Sequence, residues 1–125
     1  MSVKEIVLNE ENEISHILWD LNAAELKPTA MLQLNKTTQL LKDNPNIIIE
    51  IGSHTDSRGD HSSNVLLSQK RADIVRNYIV SRGITANRIT SVGYGEMKPI
   101  VKNAVTEEDH ARNRRTEFSV VQIMQ

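Results

Sequence analysis

Cysteine is absent from the 125-residue chain, which excludes disulfides and thiol catalysis and leaves the redox compartment open. Aromatic residues are only 3% of the composition, so there are few platforms on which single-stranded bases could stack. Charge of one sign is also scarce: a formal net charge of -1 provides no general basic field, and nucleic acid is not expected as a partner. No run of about 18 apolar residues exists and no charged-then-apolar leader opens the chain, so any membrane attachment must come from segments outside it. The length suits one domain with a real core, with residues 1–12 read as a flexible lead-in to a piece of a longer protein.

What is present reads as alternating strands and helices. "EISHILW" (13–19) is a short apolar run that ends in "DLNAAELKP", where Asp20 and Asn22 suit a turn. Pro28 opens a helix carrying Met31, Leu32, Leu34, Leu40 and Leu41 up to the turn cluster "KDNPN". "IIIEI" (47–51) is a β-branched run too short for a helix, and "GSHTDSRGDHSS" after it is turn and cap chemistry. Ser62 or Ser63 is the expected cap of a second helix that stops at Gly83. "RITSVGYGE" supplies a third strand, and alternation through Thr116, Phe118, Val120 and Gln122 supplies a fourth after a loop. This order predicts an α/β (α+β) sandwich, a βαβαββ chain with a mixed four-stranded sheet, helices packed on it, and a last strand antiparallel to some neighbours.

One residue disturbs the pattern. In "NVLLSQKRADIVRNYIV" (64–80), Leu67, Ile74, Val75, Tyr78 and Ile79 share one helical arc, and Arg71 projects near its centre. "SHTDSRGD" lies at the end of a central strand, where open α/β sheets favour ligands, and its Asp56 can fold back toward Arg71. The helix N-terminus beside it attracts anions. The bland alternative is a loop-to-helix salt bridge in which Asp56 and Arg71 neutralise each other. Arg71→Met separates the two: a stranded buried carboxylate costs about 3 to 5 kcal/mol, whereas a wet Asp56 leaves stability within about 1 kcal/mol.

The same residues resemble the peptidoglycan-binding domain shared by the C-terminal part of OmpA, by Pal lipoproteins and by MotB stator proteins. In its signature a TD and a following G lead to N-x-x-L-S-x-x-R-A-x-x-V, met here by Asn64, Leu67, Ser68, Arg71, Ala72 and Val75. The likeness extends upstream to "WDLNAAELKP" and downstream to "GYGEMKPIVKN" and "NRRTEF". It implies that Asp56 and Arg71 hold the meso-diaminopimelate of the peptidoglycan stem peptide, Arg71 on the carboxylate and Asp56 on the ammonium. Thr55, Asn64 and Leu67 match positions beside the site, Asp20 and Arg114 match further motif positions, and Trp19 offers an apolar wall. The implied setting is the periplasm of a Gram-negative envelope, anchoring an outer-membrane-associated protein to the wall. The chain departs from the usual G-R before N-R-R, reading Asp109 and His110 there, and Trp19 replaces a common Phe.

Four rival readings are weaker. His54, Asp56, Asp60 and His61 fall within eight residues, as a metal-dependent hydrolase would need, but without a fixed ligand motif such as H-E-x-x-H, and no metal or cofactor is expected. "GYG" (93–95) reads as a turn rather than a dinucleotide signal, and "RNRR" (112–115) as exposed charges before a strand, with His16 and His110 on the surface. An interaction module for other envelope proteins is the alternative to wall binding. With no activated nucleophile or general base evident, catalysis is not expected.

Overall fold

Pro28 sits at the first turn of a helix because its missing N–H is one that no helix start can satisfy, and the helix runs Pro28–Asp43 (α1). Ala30, Leu34, Thr37, Thr38 and Leu41 line its buried stripe, and the two threonine hydroxyls are satisfied by the carbonyls of Gln33 and Leu34. Before it stands strand β1, Ile17–Leu18. The computed structural model describes residues 17–124; the expected lead-in, His16 and the start predicted for the first strand lie outside the described residues. After α1 come β2 (Ile47–Ser53), α2 (His61–Ser81), β3 (Ile89–Gly93) behind a short 3-10 turn, α3 (Glu107–Asn113) and β4 (Arg115–Ile123).

The sheet order is β1-β4-β2-β3, with β3 parallel to β2 and β4 antiparallel to both β1 and β2. This is the expected mixed four-stranded α/β sheet. Ile49, Ile51 and Ser53 face Val120, Phe118 and Thr116 across the central pair. Since side chains alternate along a strand, these residues share the face that meets Leu34, Leu41, Ala72, Val75 and Ile79 in one core. Each buried Leu, Ile, Val or Phe among them contributes roughly 1.5–3 kcal/mol. The core ends in a polar trio beneath the loops: Ser53 and Thr116 hydroxyls lie 2.6 Å apart, and Trp19 Nε1 donates to Thr116 Oγ1 at 2.8 Å.

Close approach locks α2 to the C-terminal end of β3. A Cβ added to Gly93 would fall 2.3 Å from the Gln69 backbone nitrogen. Only glycine allows the strand so near the helix. Gly93 N–H then donates to Gln69 Oε1 and Gly95 N–H to Ser68 Oγ, both at 2.9 Å. The N-terminal turns of α2 are thereby held over the end of β2.

Several expectations need correction. The cap of α2 is Asp60, whose carboxylate accepts from Ser63 N–H, so the helix starts before Ser62 and Ser63. Residues 107–113, read as loop, form α3 under a reciprocal cap between Thr106 and Asp109. Arg114 and Arg115, read as exposed charges, are buried because backbone carbonyls of Trp19, Asn113 and Lys98 accept their N–H groups. His110, expected on the surface, is buried as well.

Candidate functional site

Between β2 and α2 the chain makes a short bend whose residue types follow from its hydrogen bonds. His54 N–H donates to the Arg115 carbonyl and Thr55 N–H to that of Gly95, extending the strand past Ser53. Asp56 Oδ1 then accepts from Arg58 N–H at 3.0 Å, a side-chain-closed turn that aspartate favours. Gly59 takes the left-handed backbone region at φ 93°, and Asp60 starts the helix. The result places Asp56 at the floor of a small cleft, with Thr55, Asn64, Leu67, Arg71 and Arg114 around it. Leu21, Asn22 and Arg58 complete the lining.

Asp56 is not the wet carboxylate on which a near-neutral Arg71→Met depends. It is buried, and its Oδ2 accepts from Arg58 Nη2 at 2.8 Å and Arg114 Nη1 at 3.0 Å. Burial alone would raise its pKa; the hydrogen bonds from Arg58 and Arg114 outweigh this and hold it below the ordinary carboxylate value. Both arginines also reach Glu107 at the start of α3, Arg58 Nη1 at 2.9 Å and Arg114 Nη1 at 3.1 Å. Two carboxylates and two guanidiniums thus close a ring of alternating charge.

Arg71 stands apart from that ring. It is 0% exposed, and its N–H groups go to three backbone carbonyls: Nε to Ala23 at 2.8 Å, Nη2 to Asp20 at 3.0 Å and Nη1 to His54 at 3.3 Å. Its guanidinium lies over the Trp19 ring, 5.4 Å from the centroid. The Asp56–Arg71 salt bridge is not formed, and no ion pair joins Arg71 to a carboxylate among the described residues. Burial, reinforced by the charge of Arg114, lowers its pKa to about 10, against the opposing pull of Asp56, so it stays protonated at neutral pH. Of the five N–H groups on a guanidinium, these bonds use three.

Of the residues singled out in the sequence, Thr55, Asp56, Asn64, Leu67, Arg71 and Arg114 line one cleft. Trp19 and Asp20 act differently from expectation. Trp19 is buried beneath Arg71 rather than walling the cleft, and Asp20 offers its carbonyl to Arg71 while its carboxylate pairs with Lys27 at 2.7 Å on the surface. Sequence reading missed Arg58 and Glu107; the only local hint is the side-chain turn that puts Arg58 two residues after Asp56. The four candidate metal ligands do not converge, and no group of three or more His, Asp or Glu suited to a metal ion forms among the described residues. His54 Nε2 lies 3.3 Å from Glu117, His61 pairs with Glu96, and Asp60 caps α2.

Residues 18–114 match the family model described as the OmpA family. The probable lipoprotein YiaD of Escherichia coli K12 is 36% identical over 92% of this chain and 51% of its own length. The peptidoglycan-binding protein ArfA of Mycobacterium tuberculosis H37Rv is 39% identical over 79% of this chain and 30% of its own. The chain therefore spans about half of the first of these curated relatives and 30% of the second. Among solved structures, the peptidoglycan-associated lipoprotein of Burkholderia pseudomallei superposes with a TM-score of 0.80 at 28% identity, covering 84% of this chain and 88% of that one.

Proposed function

The chain belongs to the OmpA family, and from that premise we propose that its cleft binds peptidoglycan non-covalently through the meso-diaminopimelate of the stem peptide. One observation carries the reading: Arg71 is a fully buried, protonated guanidinium without a carboxylate partner among the described residues. A buried charge left unpaired is costly, and the cleft that Arg71 lines holds three guanidiniums, its own included, against the carboxylates of Asp56 and Glu107. A ligand carboxylate supplies the missing charge, gripped by the two N–H groups that Arg71 does not spend on carbonyls.

The side-chain end of diaminopimelate carries a carboxylate and an ammonium on one carbon. Arg71 takes the first and Asp56 the second, with Thr55 and Asn64 offering polar edges and Leu67 an apolar one. Nothing in the cleft is arranged as a nucleophile with its base, so the domain holds the polymer and does not cut it. A small zwitterion in a partly wet cleft implies micromolar to millimolar affinity, about -4 to -8 kcal/mol. The setting consistent with this ligand is the periplasmic side of a Gram-negative outer membrane, with the domain anchoring an envelope protein to the wall.

Pelleting with purified sacculi tests the reading. Lysine-type peptidoglycan lacks the carboxylate at the side-chain end and leaves Arg71 unpaired, so retention should drop at least tenfold relative to diaminopimelate-type sacculi. Equal retention on both, or release of soluble muropeptides, overturns it.

A further inference from the structure

We propose that Arg58 is an internal stand-in for the ligand's ammonium, and that binding requires its guanidinium to leave Asp56 while remaining on Glu107. The inference rests on the binding mode just described and concerns what the cleft must give up when it fills.

Asp56 has little spare capacity. Its two oxygens already accept Arg58 N–H, Arg58 Nη2 and Arg114 Nη1, and a carboxylate offers about four acceptor positions. Oδ2 already takes two donors, so an incoming ammonium can dock on that oxygen only if a present partner withdraws. The two arginines are unequal candidates. Arg114 has a side chain 9% exposed and is pinned from the other end, its Nε donating to the Trp19 carbonyl at 2.8 Å while Trp19 N–H returns a bond to the Arg114 carbonyl. Arg58 has a side chain 40% exposed, and among the described residues its guanidinium pairs with Asp56 and Glu107 alone. Its backbone N–H holds Asp56 Oδ1 independently of where the guanidinium points.

Glu107 makes the exchange feasible. Its carboxylate is 64% exposed and accepts from Arg58 Nη1 at 2.9 Å and Nη2 at 3.5 Å. A swing of the Arg58 guanidinium toward Glu107 tightens the second contact as the Asp56 contact is released, so the cation is never left unpaired. One ammonium replaces one guanidinium on Asp56, and the charge count at that carboxylate is unchanged.

The test is calorimetric titration of the chain and of Arg58→Gln with a diaminopimelate-containing tripeptide, beside the same tripeptide acetylated on its side-chain amine. Arg58 lies at the surface and its backbone bond survives the substitution, so the variant should melt near the parent. Removing the competitor should tighten binding of the free-amine ligand about threefold to tenfold and leave the acetylated ligand unimproved. Weaker or unchanged binding of the free-amine ligand by Arg58→Gln overturns the stand-in role, as does an equal gain for the acetylated one. If the parent chain itself binds neither peptide, the diaminopimelate reading fails first and the stand-in falls with it.

Discussion

Asp56 and Arg71 are both buried charges, and the structure stabilises them in opposite ways. Asp56 is ion-paired, so its folded-state pKa is depressed. The stability it contributes is full above the ordinary carboxylate pKa and is lost as the pH falls through the lower folded value. Asp56→Asn should therefore cost about 1–3 kcal/mol at pH 7, where Arg114 loses its buried carboxylate partner and keeps only the exposed Glu107. The deficit should begin to shrink as the pH falls below about 4, where the unfolded parent's carboxylate takes up a proton, and should vanish only below the depressed folded pKa. Urea denaturation of both proteins at pH 7 and pH 3 checks this, and a deficit that persists undiminished in acid contradicts the ion-pair account. Arg71, by contrast, is held by carbonyls, which removes the premise of a near-neutral Arg71→Met: three acceptors lose a charged donor, and a loss of about 1–3 kcal/mol is expected. The anomaly of an arginine in an apolar arc was visible in the sequence. Its acceptors were not, because Asp20 and Ala23 accept through main-chain carbonyls in a turn 48 to 51 residues away, and a carbonyl leaves no residue-type signature.

At the scale of elements, the long periodic or β-branched segments were legible and the short polar one was not. α1 begins at Pro28 as its sequence suggests, and β2 and α2 follow the "IIIEI" run and the apolar arc. α3 has seven residues and no apolar stripe, so nothing periodic announces it; its signal is the cap, Thr106 with Asp109 three residues on. That cap matters to the site, because the next residue after Thr106 is Glu107, the outer carboxylate of the charged ring. Thr106→Ala removes the Oγ1 acceptor of Asp109 N–H and should lower stability by about 1 kcal/mol. It should also raise hydrogen exchange of the α3 amides while leaving those of α2 unchanged. Uniform acceleration across the chain would show that α3 does not open independently. The cap of α2 was misplaced for a related reason: three neighbouring residues able to cap, Asp60, Ser62 and Ser63, compete, and the side-chain turn after Asp56 and the positive φ of Gly59 decide among them.

The whole molecule carries a net charge of -1, yet its cleft collects three guanidiniums. Average charge therefore says little about the ligand, whereas the placement of Arg71 says much. The fold makes that placement possible: β2 ends beneath the cleft, the N-terminal turns of α2 are pressed onto β3 at Gly93, and the turn after β1 brings its carbonyls over Arg71. Titration of a diaminopimelate-containing tripeptide against the parent chain and Arg71→Met, both kept well below their melting temperatures, tests the central claim most directly. The parent should bind in the micromolar to millimolar range and the folded variant should show no measurable binding. A folded Arg71→Met that binds the tripeptide as tightly as the parent would contradict the assignment of Arg71 to the ligand's carboxylate.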